Sequence, residues 1–245
     1  MIKISRKNPL PLYVQLKQII VENVENGYWL PGTAIPTELE LQELYELSRT
    51  TVRQALGELV SDGTLTRIQG KGTFVAEPKI EPTRPELTGF TEDMKERGFL
   101  IRSEVTEFSV QTASEKLQRE FNLNPTSEVL HLKRIRFVDD QPLGFQTALL
   151  NLSLDPNLYE KLSKYDFTFN SLYDVLAKEG IYLGEADETV EAGIADGHLA
   201  ELLEIETGAP VLLLTRLTKL KDGRPFEYSK MVYRADRYKY SIKLG

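Results

Sequence analysis

SRTTVRQALGELVSDGTLTRIQGKGTFVA, residues 48–76, reads as a helix, a tight glycine turn, a short strand, a glycine-tipped loop and a second strand. Ser48 suits an N-cap, because its hydroxyl can satisfy an orphan amide of the first turn. Val52, Leu56, Leu59 and Val60 recur at i, i+4, i+7 and i+8 and make an inward apolar stripe. Gly63 stops the helix. Arg49, Thr50 and Arg53 fall toward the opposite side within the first two turns. Arginine can chelate guanine O6 and N7 in a major groove, and threonine can meet a phosphate or a thymine methyl group. Two exposed arginines on an amphipathic helix also fit an ordinary solvated face, so the helix alone leaves both readings open. The following hairpin shifts the balance. Leu65–Ile68 and Thr73–Val75 are short strands around Gln69-Gly70-Lys71-Gly72, whose two glycines permit positive φ and close backbone approach. Lys71 places a charge at the tip. No GxxxxGK[ST] pattern precedes a helix here, which argues against a nucleotide loop.

Upstream, Leu12, Leu16, Ile19, Ile20 and Val24 keep helical spacing up to Gly27. Thr37-Glu38-Leu39-Glu40 has the form of a capping box and opens a second helix to about Leu44. Three helices with a brief link between the second and third, then a hairpin, spell a winged helix-turn-helix. The second helix would bring its N-terminal amides near a DNA phosphate.

The 245 residues suffice for two modest domains. With no cysteine and two histidines, His131 and His198, neither a disulfide nor a Cys- or His-based metal centre is expected, and no cofactor is called for. The start, MIKISRKNPL, lacks an apolar signal core, and no run approaches the roughly 20 apolar residues of a membrane span. A soluble, cytoplasmic protein with no membrane partner is the expectation. Net charge is −7, and residues 1–78 hold 8 basic and 9 acidic side chains, so broad non-specific affinity for nucleic acid is not expected. Local placement of charge must then carry any binding.

Residues 77–86, EPKIEPTRPE, carry three prolines and five charged side chains and read as an extended linker between domains 1–76 and 87–245. Beyond it, helices are expected at 90–97, 114–121, 171–178 and about 198–203. Strands are expected at 102–111, 129–137, 143–150, 185–194, 211–220 and 226–234. Hairpins turn at Asp139-Asp140-Gln141-Pro142 and Lys221-Asp222-Gly223-Arg224. Hairpins dominate, so the class is α+β with an antiparallel sheet.

Arg134 and Arg136 stand at i and i+2 on one strand and share a face. Turned inward they make an anion clamp, because guanidinium forks bind phosphate or carboxylate bidentately. Turned outward they pair with surface acids. Gly89-Phe90-Thr91 opens a helix whose free amides could hold an anion, although Glu92 and Asp93 already complement that helix dipole. Ser171 and Tyr173 offer hydroxyls. Glu227 and Tyr233, six residues apart, share a face of the last hairpin. A carboxylate with tyrosine and serine hydroxyls suits a polyol. An enzyme using Glu227 as acid or base is the rival, but no nucleophile–base pair, metal cluster or cofactor loop accompanies it.

The first 76 residues, with PGTAIP, SRTTVRQAL and GKGTFV, resemble the DNA-binding domain of GntR-family bacterial transcription regulators. That family usually carries arginine where Leu39 stands. The resemblance implies DNA contacts by Thr37, Glu38, Arg49, Thr50, Thr51, Arg53, Gly70, Lys71 and Gly72. Residues 80–244, through LTGFTEDMKERG, LKRIRFVDDQPLGFQTALL, NSLYDVL and GRPFEYSKMVYRADRYKYS, resemble the UTRA effector-binding domain of the HutC subfamily, with a chorismate lyase-like fold. It implies that Arg134 and Arg136 grip a phosphate with the Phe90–Thr91 amides, while Ser171, Tyr173, Glu227 and Tyr233 line a sugar end. Gln146 stands where such regulators often have an acidic residue. The implied molecule is a homodimeric repressor that leaves a double-stranded DNA operator when a small anionic effector, a sugar phosphate before a carboxylate or phosphonate, arrives.

Overall fold

The computed structural model describes residues 4–68, 70–81, 94 and 98–242. The chain divides into two units, Met1–Pro78 and Lys79–Gly245.

In the first unit, α1 (Leu12–Glu25), α2 (Glu38–Tyr45) and α3 (Arg49–Ser61) precede the hairpin β1 (Leu65–Ile68) and β2 (Gly72–Val75). Ser48 caps α3 by accepting the Thr51 amide, as its position predicts. Thr37 and Glu40 form the full capping box of α2. The apolar stripes converge: Leu16 and Ile20 of α1, Leu41 of α2, and Val52, Ala55, Leu56 and Leu59 of α3 bury together with Leu65 and Val75 of the hairpin. Near-complete burial stabilises each Leu, Ile or Val side chain by roughly 1.5–3 kcal/mol relative to exposure. Gly70 and Gly72 take φ of 74° and 124°, the left-handed backbone a β-carbon would resist. The wing is widened by a short upstream segment, where the Ile35 amide donates to Thr73 O and the Val75 amide to Thr33 O.

The second unit is a six-stranded antiparallel sheet in the order β3-β4-β5-β8-β7-β6. Its strands are β3 (Ile101–Thr112), β4 (Glu128–Val138), β5 (Gln141–Asn151), β6 (Leu183–Ile194), β7 (Pro210–Leu220) and β8 (Pro225–Arg234). Helices α4 (Glu115–Phe121), α5 (Leu158–Leu162), α6 (Leu172–Lys178) and α7 (Gly197–Leu203) pack on it. Ser114 caps α4, Ser171 caps α6 and Asp196 caps α7. The turn between β4 and β5 is tighter than the four residues expected. It is two residues long, with Asp139 and Asp140 at φ of 52° and 60°, and positive φ at both positions matches the right-handed twist of the strands. Short polar aspartates tolerate that conformation better than most side chains. The 3-10 turn Leu152–Leu154 and α5 have no counterpart among the expected elements. At 3 and 5 residues, they are too short for a period to register.

Leu130 and Leu132 of β4 and Ala148 and Leu150 of β5 pack under α5 and α6 on one face of the sheet. Val129, Leu149 and Tyr228 pack against α4 on the other. Ile80, inside the stretch expected as linker, is buried and bridged to Tyr238. Its amide donates to Arg237 O, and the Lys239 amide donates to Ile80 O. The chain is therefore tied to the second unit from Lys79 or Ile80 onward. The helix expected at 90–97 lies outside the described residues, apart from Met94.

Candidate DNA-binding face and effector pocket

On the first unit, the exposed surface of α3 carries Arg49, Thr50 and Arg53. Glu38, in the first turn of α2, faces them. Its carboxylate lies 4.0 Å from Arg49 Nε and 3.9 Å from Arg53 Nε, and it accepts from Arg67 Nη2 at 3.3 Å. One carboxylate thus holds three arginines from two elements on one exposed surface. Lys71 is exposed between the two glycines of the wing tip. The Thr37 hydroxyl accepts from the Glu40 amide and donates to the Glu40 carboxylate, so it is committed to its own cap. The Thr51 hydroxyl sits 2.8 Å from Ser48 Oγ. In this arrangement Thr37, Glu38 and Thr51 brace the surface, while Arg49, Thr50, Arg53 and Lys71 present it. Arg67 joins them and was missed. Nothing in a four-residue strand says which face meets α2.

On the second unit, the register places the candidate residues in rows, because directly opposed residues of an antiparallel sheet share a face. One row runs Ser103, Arg136, Gly144, Tyr233. The next runs Arg134, Gln146, Met231. Two rows further on, Leu150, Glu227 and Thr218 align. All lie on the face covered by α5 and α6. Both arginines of the pair are turned inward: Arg134 and Arg136 are each 2% exposed.

Arg136 Nη1 donates to Ser103 Oγ at 2.8 Å, and Arg134 Nη2 donates to Gln146 Oε1 at 3.1 Å. Arg134 Nε and Nη1 are buried and have no hydrogen-bond partner among the described residues. Arg134 also lies over the Phe167 ring, 5.9 Å from its centroid. Glu227 is fully buried; its Oε2 accepts from Tyr173 Oη at 2.6 Å and from Thr218 Oγ1 at 3.3 Å, while Oε1 has no partner among the described residues. Gly144 lets Tyr233 lie across it: a β-carbon there would stand 2.5 Å from Tyr233 Cδ1 and 2.7 Å from Val232 O. Ser171 is buried at the α6 N-cap, where its hydroxyl accepts the Asp174 amide. Gly89, Phe90 and Thr91 lie outside the described residues.

The electrostatics follow from burial. Arg134 is pushed well below its ordinary value by burial and then by the neighbouring Arg136 charge, with partial relief from Glu227. Burial lowers Arg136 to about 10, opposed by Tyr233. Burial raises Glu227, against the Tyr173 hydrogen bond and the charges of Arg216 and Arg134. Tyr173 is raised by burial and then by the Glu227 charge. A guanidinium keeps its proton in proteins. The shift on Arg134 therefore measures the cost of a buried cation short of negative charge. Two Arg134 nitrogens and one Glu227 oxygen, left without partners among the described residues, make this the polar cluster of the face. Ser103, Thr218 and Phe167 complete it and were not singled out from sequence, because cross-strand partners are set by register.

Two family models match the chain: bacterial regulatory proteins of the gntR family over residues 12–75, and the UTRA domain over residues 96–239. The chain is 35% identical to the HTH-type transcriptional repressor NagR of Bacillus subtilis, over 97% of this chain and 96% of that protein. It is 33% identical to the mannosyl-D-glycerate transport/metabolism system repressor MngR of Escherichia coli, over 95% of each. Identity to the histidine utilization repressor of Pseudomonas putida is 30%, over 95% of this chain and 92% of that one. Among solved structures, PhnF from Mycobacterium smegmatis superposes with a TM-score of 0.65 at 29% identity, covering 95% of this chain and 98% of that chain. With a winged helix-turn-helix at one end and an antiparallel α+β unit at the other, this chain belongs to the gntR family of bacterial regulatory proteins that carry a UTRA domain.

Proposed function

We propose that the protein is a homodimeric transcriptional repressor that holds a palindromic operator through its winged heads and lets go when a small anionic metabolite, a phosphorylated sugar, enters the UTRA pocket. The observation that carries the effector half is Arg134. It is a buried guanidinium whose hydrogen-bond partner among the described residues is a neutral amide, with two donor nitrogens left over. An anion accepting those donors recovers the charge-assisted hydrogen bonds that burial withholds. The unpartnered Glu227 oxygen, braced by Tyr173 and Thr218, suits a sugar hydroxyl. Relatives named for mannosyl-D-glycerate and fructoselysine utilisation support a sugar-bearing ligand. The relative named for histidine utilisation favours a carboxylate as the second reading.

On the DNA half, Arg49, Thr50, Arg53, Arg67 and Lys71 supply the contacts. Paired recognition helices on a two-fold dimer read a pseudo-palindrome. Linkage supplies the mechanism: an effector that prefers the off-DNA arrangement weakens operator affinity by its own coupling factor, typically about 5- to 150-fold.

Calorimetric titration of the purified protein with a panel of hexose phosphates, the matching free sugars, organic acids and inorganic phosphate tests this reading. Binding of a sugar phosphate, abolished in Arg134→Ala and absent for the free sugar, is expected. Binding of free sugars alone contradicts the anion assignment.

A further inference from the structure

After β8 the chain turns back on itself, where the Arg237 and Tyr238 amides both donate to Arg234 O. Tyr238 is thereby laid against Tyr233, with ring centroids 4.2 Å apart and planes 16° from parallel. Both rings are buried, with Ile80, Leu214 and Met231 around them. Tyr233 stands in the row of Arg136 and lies across Gly144. Beyond Tyr238 the segment is pinned again, because Tyr240 Oη donates to Glu188, which also accepts from Arg216 Nε.

The other side of Tyr238 holds the start of the second unit. Ile80 pairs with it in a parallel bridge. The Ile80 amide donates to Arg237 O at 2.7 Å, the Lys239 amide donates to Ile80 O at 2.9 Å, and Lys239 Nζ lies 2.5 Å from the Glu81 carboxylate. Both backbone groups of Ile80 are therefore spent on residues 237–239, as buried backbone groups must find partners. Lys79 alone separates this bridge from Pro78, the last residue of the first unit. Tyr238 thus touches the row of Arg136 through Tyr233 on one side, and the segment leading to the head on the other.

We infer that Tyr238 is a positioning residue for effector-driven release of DNA: it sets Ile80, and with it the point from which the head departs, according to where the Tyr233 ring stands. This rests on the effector pocket of the proposed function and names the residue that reads its occupancy. Stacked aromatic rings attract beyond the area they bury, and close-packed interiors transmit displacement rather than absorb it. A ligand seated on Arg136 meets the Tyr233 ring, the ring moves its stacked partner, and the bridge at Ile80 shifts with it. The turn at Arg234 and the Tyr240 anchor keep the segment from yielding elsewhere.

Two measurements on the full chain test this. The first needs no ligand. Gly144→Ala puts a β-carbon where the Tyr233 ring lies and should speed amide hydrogen exchange at Ile80 and Lys239 at least tenfold, while amides of the β1-β2 hairpin keep the parent rate. Unchanged protection at Ile80 and Lys239 would overturn the proposal. The second titrates a duplex, selected by the parent from a random library, in the presence of glucose 6-phosphate or fructose 6-phosphate. Tyr238→Ala should bind the sugar phosphate within about threefold of the parent, yet its coupling factor should fall below about twofold, against the roughly 5- to 150-fold usual for such linkage. Tyr238→Phe keeps the ring and should respond like the parent. If Tyr238→Ala fails to fold, Ile80→Pro, which removes the amide donated to Arg237 O, should lose the coupling instead. Release by Tyr238→Ala or Ile80→Pro equal to that of the parent would overturn the role of Tyr238 and leave the effector reading standing. Binding of neither sugar phosphate by the parent would count against that reading, and the exchange rates would then decide the bridge by themselves.

Discussion

Arg134 spends its charge in a place that gives little back. Its burial, its neighbour Arg136 and its two unpartnered nitrogens all raise the cost of the ligand-free state. Replacing such a cation by an apolar side chain of similar length should stabilise the empty protein, because exchanges of buried charge for packed hydrophobes gain on the order of 1–4 kcal/mol. Arg134→Met is therefore expected to raise the melting temperature without ligand and to lose the upward shift that an anionic effector gives the parent. A drop in stability without ligand contradicts this account. Glu227 makes the converse case. Burial raises its folded value, so the native state keeps this proton where the unfolded chain has released it. Its contribution to stability is complete below the ordinary carboxylate range and is lost as pH climbs through the raised value. Chemical denaturation of the parent and Glu227→Gln across about pH 4 to 8 should show the variant gaining on the parent as pH rises. A gap that does not change with pH refutes the assignment.

Helices and strands put these residues in place, and two elements can be tested directly. Ser48 caps α3, the helix that carries Arg49 and Arg53. Ser48→Ala should cost about 1 kcal/mol, the usual loss at an N-cap. It should also weaken DNA binding beyond what that loss explains, since the first turn it secures holds Arg49 and Thr50. Unfolding curves and duplex titrations on the same variant separate the two effects. In β5, Gly144 yields its side-chain space to the Tyr233 ring. Gly144→Ala should destabilise the second unit by about 1–3 kcal/mol, the range for overpacking, and weaken effector binding by displacing Tyr233. Unchanged effector affinity would mean that Tyr233 does not shape the pocket.

For the whole molecule, the prediction is reciprocity. If effector lowers operator affinity by some factor, saturating operator must lower effector affinity by the same factor. Fluorescence titrations run in both directions should agree, and Arg53→Ala should weaken DNA binding while lowering its salt slope by about 1 if that arginine meets a phosphate. Unequal factors would mean that the two ligands do not act on one shared equilibrium. Winged head and hairpin-rich sheet were legible from residue spacing: Ser48, the Val52–Val60 stripe, the Gly70-Lys71-Gly72 tip and the alternating strands each stand close to where the pattern put them. The packing of Ile80 against Tyr238 was not legible, since it depends on a neighbour far away in the chain; the short α5 was not, because five residues carry too little of a period; and the turn at Asp139–Asp140 is two residues shorter than its turn-forming residues suggested.

The amino-acid sequence by itself determined the periods, caps and turns, and with them the elements and the α+β class, because those follow from interactions within a few residues. It also set Arg134 and Arg136 on one side of a strand. Only the tertiary structure decided that this side faces inward. A strand's period of two allots residues to faces without saying which face is covered, and the answer came from α5 and α6 packing over Leu130 and Leu132. Register did the rest: it aligned Arg134 with Gln146, brought Glu227 beside Thr218, and left β6 open at the far edge, through pairings among strands that no local pattern records.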